Sequence, residues 1–229
     1  MQRRGNMIIF SDLSDVLING VYGVENIIEN YYDTDVAVKF VERKYEVYEE
    51  FENLMRGFMT EDQFWELFLS KGNWPFGVTE LKVFLSHNFA RTIPGTLGLY
   101  KIIDKYPKSF EDDRPSKTRI EGQPEFWLIS DHIAERHEEL EYLHPEIFDL
   151  FRRQVWSFEE IAIKKDPGFF HRLIKKNGLN PDEILFIDDD VDNIASASKA
   201  GIHSVWFRNH FHLRYLLSRR GFAFKTAAG

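Results

Sequence analysis

Cysteine is absent from this sequence of 229 residues. Without thiols the chain forms no disulfide and offers no thiolate ligand, which excludes disulfide scaffolds and cysteine-ligated zinc sites. Any metal site has to be built from carboxylates, histidines or backbone oxygens. The absence also suits a reducing compartment, and we expect a cytoplasmic protein.

Long hydrophobic runs are absent as well. No apolar stretch approaches the roughly 20 residues that a membrane-spanning helix requires. Residues 1–5 are basic, but the apolar stretch at residues 7–10 is too short for the core of a signal peptide. We therefore expect no membrane partner.

Positive charge is scarce. The chain carries 29 basic and 37 acidic residues, a net charge of −8, which argues against a nonspecific nucleic-acid binder. Apolar residues make up 43% of the sequence and aromatic residues 15%. This is ample for one folded core with an insertion.

A burst of acidic residues follows one short apolar run. Residues 184–187 are all apolar, Asp188 and Asp189 come next, and a helical pattern then continues to Gly201. The pattern predicts a strand buried on both faces, an acidic turn and a helix. Magnesium prefers such carboxylates, so Asp188 and Asp189 are candidate metal ligands. The alternative is a solvated turn whose acids favour the amino end of the following helix.

Two further apolar runs also deliver polar side chains at their ends. Residues 7–10 precede Asp12, and residues 126–129 precede Ser130. A carboxylate at the end of a strand can act as a nucleophile, and a hydroxyl there can bind a phosphate oxygen. The alternatives are a turn residue for Asp12 and a helix cap for Ser130.

A pair of lysines precedes a predicted helix start. Asp166 is placed as a cap and Pro167 as the first helical residue, directly after Lys164 and Lys165. A lysine at this place can neutralise both an anionic substrate and a nearby aspartate. The alternative is solvated surface.

Residues 18–93 have a helical rather than a strand pattern, which predicts an all-helical insertion. Apolar residues recur at helical spacing over residues 37–55, with Tyr48, Phe51 and Met55 among them. This spacing predicts one face of a single long helix. Its aromatic residues are most simply explained as core.

Two other segments punctuate the chain. Residues 60–63 fit a capping box that opens a second helix. Residues 107–124 are polar and rich in proline, glycine and serine, which predicts a long loop within the core.

The order of these segments resembles the four motifs of the haloacid dehalogenase superfamily. The motifs correspond here to Asp12, Ser130, the lysine pair and the two aspartates after the strand at residues 184–187. The resemblance implies an α/β fold with a Rossmann-like, doubly wound parallel sheet. Residues 1–17 and 94–229 would form this core, and residues 18–93 a small helical cap.

Within the superfamily, three segments are similar to the sugar-phosphatase branch related to α-D-glucose-1-phosphatase. They are residues 144–149, 164–167 and 187–194. The resemblance implies a magnesium-dependent phosphatase that hydrolyses a small phosphorylated metabolite, in particular a sugar phosphate.

The resemblance also assigns site residues. Asp12 would be the nucleophile that forms an aspartyl-phosphate, with Ser130 and Lys165 as the other catalytic residues. Magnesium would be held by Asp12, the backbone carbonyl of Ser14, Asp188 and Asp189. The phosphate would be bound by Ser14, Ser130, Asp131 and Lys165.

Two departures from the family pattern keep alternatives open. The second aspartate that usually follows the nucleophile by two residues, as general acid, is Ser14 here. Lys165 is favoured as the motif lysine over Lys164, but the proline that usually follows this lysine directly in the family is Asp166 here. The alternatives are a catalytically weak or inactive binding protein, a 2-haloacid dehalogenase and a phosphate-transferring mutase. The sequence does not predict the oligomeric state.

Overall fold

Five parallel strands form the centre of the fold. The computed structural model describes residues 7–105, 124–220 and 222. Within these residues the sheet has the order β3-β2-β1-β4-β5 and every pairing is parallel. The strands are β1 (Ile8–Ser11), β2 (Glu125–Ser130), β3 (Arg153–Trp156), β4 (Ile184–Asp188) and β5 (His203–Trp206). The predicted α/β class with a parallel sheet is confirmed. The predicted loop at residues 107–124 lies outside the described residues except for its last position.

Helices cover both faces of the sheet and make up most of the described chain that connects β1 to β2. They are α1 (Val24–Tyr31), α2 (Thr34–Glu46), α3 (Tyr48–Met55), α4 (Glu61–Leu69), α5 (Val78–Phe89), α6 (Thr96–Lys105), α7 (His137–Leu143), α8 (Pro145–Phe148), α9 (Ser157–Glu160), α10 (Phe169–Asn177), α11 (Val191–Lys199) and α12 (His210–Arg219).

The strands are buried because successive side chains enter two different cores. In β1, Ile9 packs with the core that includes α6 and α12, whereas Phe10 packs with the core of α10 and α11. The same alternation places Leu185 and Phe186 on opposite faces. A strand covered on both sides has no polar face, which explains why these strands are continuous apolar runs.

The order of the strands creates a crevice at one edge of the sheet. The chain runs outward from β1 through β2 and β3, and then returns to pair β4 on the other side of β1. Ser11 lies opposite Ile187 in this pairing, so the residues after β1 and β4 emerge side by side. Ligands of open α/β sheets bind at such a switch point, beyond the carboxyl ends of the strands.

The helices α1 to α5 form a helical insertion, defined here as residues 24–89. Its aromatic core includes Phe40, Phe64, Trp65 and Phe68, all fully buried. The two connections to the sheet run side by side, because Ile93 N–H donates to Leu17 O over 2.7 Å. They meet at the predicted boundaries of residues 18–93, and the division into two domains stays a prediction.

Three details of the predicted helices are settled. The capping box at residues 60–63 is confirmed, with Thr60 and Gln63 bonding reciprocally. The single helix over residues 37–55 is wrong, because the chain breaks at Val47 into α2 and α3. The predicted start at Asp166 is also wrong, since α10 begins at Phe169 after Gly168 in the left-handed region.

A buried ion pair joins the helical insertion to the sheet. Arg136, in the turn after β2, donates to Glu61 Oε1 from Nε over 2.8 Å and from Nη2 over 2.6 Å. Arg136 also donates to Ser86 Oγ, and Trp65 Nε1 donates to the same Glu61 oxygen. Both charged side chains are almost fully buried, so their pairing replaces much of the solvation that each has lost. Glu139 also binds Arg136, and Lys82 Nζ lies 3.5 Å from Glu61.

We therefore expect Glu61→Ala to lower the free energy of unfolding by about 3 kcal/mol, because a buried guanidinium loses its main partner. The double variant Glu61→Met with Arg136→Met should recover most of the loss, since two apolar side chains need no counter-charge. Urea denaturation measures both. Glu66→Ala, at an exposed position of the same helix, is the control. Equal stabilities for Glu61→Ala and the control would contradict this account.

Candidate active site

A cavity lies at the switch point, between the strand ends and α3. Its volume is about 130 Å³. Five of the seven predicted site residues line it, and so does Lys164, which was weighed against Lys165. The five are Asp12, Ser14, Asp131, Lys165 and Asp189. The other two, Ser130 and Asp188, are buried directly beside it at the ends of β2 and β4.

Asp12 is held at the end of β1 by main-chain and side-chain bonds. Its N–H donates to Ile187 O over 2.9 Å, which ties it to β4. Its Oδ1 accepts from Leu13 N–H over 2.7 Å and lies 2.8 Å from Lys164 Nζ. Both of these contacts use Oδ1, and Asp12 lines the cavity.

Asp188 is fixed by the turn that follows β4. Its Oδ1 accepts from the N–H of Asp190 over 2.8 Å, and Asn193 donates to the same carboxylate. Asp190 caps α11, which positions the turn. Asp189 lies between these residues and lines the cavity.

The structure corrects the preference for Lys165. Lys164 Nζ lies 2.8 Å from Asp12 Oδ1 and 2.7 Å from Asp188 Oδ2, and this side chain is 1% exposed. Lys165 points the other way, towards α3, where it binds Glu52 and donates to Tyr48 Oη. Adjacent residues of the loop face different directions, so only one of the two lysines can enter the acidic cluster.

The residues after β2 contribute a carboxylate and two unpaired polar atoms. Asp131 accepts the N–H of Lys164 with both oxygens, at 3.1 and 3.2 Å, so it fixes the lysine loop. Among the described residues, Ser130 Oγ and His132 Nε2 are buried without a hydrogen-bond partner. His132 Nδ1 accepts from Ile133 N–H, which places the ring proton on Nε2.

Three carboxylates form a cluster with the geometry of a cation site. Asp12, Asp188 and Asp189 each offer an oxygen, and these atoms lie within 4.8 Å of one another. Burial raises the pKa of Asp12 well above its ordinary value, and Asp188 and Asp189 add to this against the charge of Lys164. Burial and the charge of Asp188 raise the pKa of Asp189 to about 7. The cluster thus carries more negative charge than one lysine neutralises.

The chain between Ser14 and Gly20 closes one side of the site. Asp15 has φ 56°, a left-handed conformation that L residues rarely adopt. Its Oδ1 accepts from Gly20 N–H over 3.0 Å. Burial raises the pKa of the Asp15 carboxyl. Position 14 lines the cavity, and it carries a serine where the family usually has a second carboxylate.

Several cavity residues were not predicted as site residues. Tyr48, Phe51 and Met55 were assigned to a helix face in the core, and they line the cavity together with Glu52. The helical spacing of these residues was the available signal in the sequence. Which part of the protein this helix face meets depends on how the insertion packs. His132 lines the cavity as well, and burial lowers its pKa to about 4. No sequence pattern marked it.

The two lysines make a matched pair for mutation. We expect Lys164→Met to lower the free energy of unfolding by about 3 kcal/mol, because two buried carboxylates lose their counter-charge. Lys165→Met removes a partly exposed ion pair and should cost below about 1 kcal/mol. Chemical denaturation of both variants measures the difference. Equal losses would show that Lys164 does not neutralise the acidic cluster.

The chain is similar to solved structures of HAD family proteins. The HAD family enzyme BT-2542 from Bacteroides thetaiotaomicron has a TM-score of 0.66 at 16% identity, over 93% of this chain and 99% of that one. It has also been solved with magnesium and inorganic phosphate. The putative HAD-hydrolase YfnB from Bacillus subtilis, bound to magnesium, has a TM-score of 0.65 at 15% identity, over 93% and 100% of the chains.

A third similar structure is a dehalogenase. The defluorinating L-2-haloacid dehalogenase Rha0230 has a TM-score of 0.59 at 15% identity, over 88% of this chain and 80% of that one. No family model and no curated protein matches the sequence. The chain therefore has the fold of the HAD hydrolases, as its motifs predict.

Proposed function

We propose that this protein is a magnesium-dependent hydrolase of small phosphomonoesters with Asp12 as its nucleophile. One observation carries the proposal: Lys164 Nζ bridges Asp12 and Asp188 at the switch point, directly beside a cavity. A buried lysine between a nucleophilic carboxylate and an acidic cluster suits the transfer of a dianionic phosphoryl group. The magnesium and phosphate complex of BT-2542 supports the same chemistry.

The donor set fits a magnesium ion. Magnesium takes hard oxygen ligands and usually keeps several waters beside one or two carboxylates. Asp12, Asp188 and Asp189 supply such oxygens, and the Ser14 carbonyl is the proposed backbone ligand. When bound, the ion would neutralise excess charge in the cluster and polarise the phosphoryl oxygens.

We assign the attack on phosphorus to Asp12 Oδ2, because Oδ1 already accepts from Leu13 N–H and pairs with Lys164. A bond forms between Oδ2 and phosphorus while the bond from phosphorus to the leaving oxygen breaks. The leaving group departs with the bonding electrons and takes a proton from water. Water then cleaves the aspartyl-phosphate, which releases inorganic phosphate and restores the carboxylate. Lys164 orients Asp12, and its charge opposes the rise in the pKa of that carboxyl.

Ser130 is the proposed second anchor for the phosphate. Its Oγ is buried and has no hydrogen-bond partner among the described residues, and such an atom normally costs free energy. An incoming phosphate oxygen would satisfy it. Asp131 is assigned a positioning role instead, because both of its oxygens accept the N–H of Lys164.

Ser14 limits the chemistry of the leaving group. A serine hydroxyl does not replace a carboxylic acid as a proton donor, and general acid catalysis typically contributes about 10²- to 10⁴-fold. We therefore expect slow turnover, or a preference for leaving oxygens that need little protonation. The anomeric oxygen of a sugar phosphate is one of these.

Ser14 in place of the general acid also suggests a second candidate function. A protein that keeps the acidic cluster and loses the general acid could bind magnesium and phosphate esters without turnover. Hydrolysis of a haloacid also uses an aspartate nucleophile and needs no general acid. The carboxylate cluster is unnecessary for that reaction, so it favours the phosphatase.

Asp12→Asn tests the nucleophile. We expect this variant to lose about 10³-fold or more in the release of inorganic phosphate from p-nitrophenyl phosphate, because the amide cannot form the covalent intermediate. The assay also includes a panel of sugar phosphates, each with magnesium and with EDTA. Asp192→Asn, exposed in the first turn of α11, is the control. Full metal-dependent activity in Asp12→Asn would sink the assignment.

Magnesium should stabilise the fold, because it binds the assembled cluster and not the unfolded chain. At 100 times the dissociation constant the gain is about 2.7 kcal/mol, and each kcal/mol raises the Tm of a chain of this size by roughly 2–4 °C.

Asp189→Asn should remove most of this shift and also raise the Tm in EDTA, because it relieves repulsion within the cluster. Thermal unfolding with MgCl₂ and with EDTA checks both effects. An unchanged magnesium shift in Asp189→Asn would remove that residue from the metal site.

A further inference from the structure

Helix α3 presents one face to the cavity. Tyr48, Phe51, Glu52 and Met55 follow the spacing i, i+3, i+4, i+7 and all line it, opposite the strand ends that carry Asp12. A group attached to a phosphate bound at Asp12 would therefore meet this face. The helix is where the protein can distinguish one leaving group from another.

The cavity holds more acids than free cations. Six carboxylates line it, among them Asp15, Glu52 and Asp190, which lie outside the metal cluster. Two lysines line it, and no arginine does within the described residues. Lys164 is committed to Asp12 and Asp188, and Lys165 is committed to Glu52.

Glu52 is held in place on both of its oxygens. Oε1 binds Lys165, and Oε2 lies 3.1 Å from Arg56 Nη2. Arg56 is fixed in turn by Asp166, which accepts from its Nε over 3.0 Å and from its Nη2 over 2.6 Å. Glu52 cannot swing away without breaking this network. Lys165 therefore faces the cavity with its charge cancelled.

Neutral hydrogen-bonding groups lie beside these ion pairs. Tyr48 Oη accepts from Lys165 over 2.8 Å, which leaves its own O–H free to donate. His132 Nε2–H has no partner among the described residues, and Tyr22 adds a third polar group to the lining. Hydroxyl groups of a ligand match such partners, while Phe51 offers an apolar surface.

We propose that the cavity selects phosphomonoesters with an uncharged, hydroxylated leaving group and rejects those with a second anionic group, and that Glu52 sets this selection by neutralising Lys165. The inference rests on the proposed function and deepens it. A second anion would have to enter among carboxylates with no free cation among the described lining residues to receive it, and like charges at close range are costly. A hydroxyl can instead pair with the neutral groups of Tyr48 and His132.

The test compares two phosphomonoesters of similar size. Glycerol 3-phosphate has a neutral leaving group. The leaving group of 3-phosphoglycerate carries a carboxylate in place of the terminal hydroxymethyl group. With magnesium, we expect kcat/KM to be at least tenfold higher for glycerol 3-phosphate, mainly through KM. Glu52→Gln frees the charge of Lys165 and should reduce this ratio about tenfold. Glu49→Gln, exposed on the same helix, should leave the ratio unchanged.

Lys165→Met provides a second variant with the opposite charge change. It removes one cation from the cavity and leaves Glu52 paired with Arg56 alone, so the preference for glycerol 3-phosphate should persist or increase. If Lys165 instead binds an anionic leaving group, the wild type would favour 3-phosphoglycerate and Lys165→Met would abolish that preference. This result would overturn the inference, as would an unchanged ratio in Glu52→Gln.

The outcomes separate this inference from the proposed function. Absence of magnesium-dependent turnover of p-nitrophenyl phosphate refutes the hydrolase but not the charge selection. In that case the same two esters are compared by the Tm shift that each causes in the magnesium-loaded protein. A larger shift with glycerol 3-phosphate, reduced in Glu52→Gln, supports the selection. Equal shifts, or no shift with either ester, refute it.

Discussion

The site depends on the two ion pairs that the ammonium group of Lys164 makes. This group lies between Asp12 of the β1 loop and Asp188 at the end of β4, fully removed from solvent. Burial alone would lower the pKa of this lysine, but Asp12 and Asp188 raise it above its ordinary value. The same residue's backbone N–H is held by Asp131 after β2. One lysine thus connects the carboxyl ends of three strands.

This arrangement is stable and incomplete at the same time. A single ammonium offsets part of the charge of Asp12, Asp188 and Asp189. The pKa values of Asp12 and Asp189 stay raised, because both are buried and lie beside uncompensated carboxylates. An added cation would lower the free energy of the ionised cluster. Because the fold already holds these carboxylates in fixed positions, rearranging them around such a cation costs little free energy. The electrostatic imbalance and the proposed metal site therefore have one cause.

The sequence predicted most of the sheet and the floor of the site, for a clear physical reason. Strands buried on both faces are continuous apolar runs, and parallel strands place their carboxyl ends at one edge. Asp12, Ser130 and the Asp188–Asp189 pair could be assigned to that edge without coordinates.

The errors have a different origin. The choice between Lys164 and Lys165 depends on which way a loop faces, and periodicity carries no information on this. Asp166 and Pro167 formed a sound local signal for a helix start. Asp166 instead accepts two hydrogen bonds from Arg56 of the helical insertion, a partner 110 positions earlier in the chain. Tertiary contacts of this kind override local propensity and are invisible in a single sequence.

Three consecutive residues divide the work between the sheet and the insertion. Lys164 enters the acidic cluster, while Lys165 and Asp166 turn to α3 and bind Glu52 and Arg56. The loop that orients Asp12, the proposed nucleophile, is therefore also the loop that holds the helix facing it. A displacement of α3 would pull on Lys165 and Asp166 and so disturb Lys164. Because the groups that would meet the leaving group and those that would meet the phosphate share this short segment, we expect the proposed selection and the proposed chemistry to be mechanically coupled.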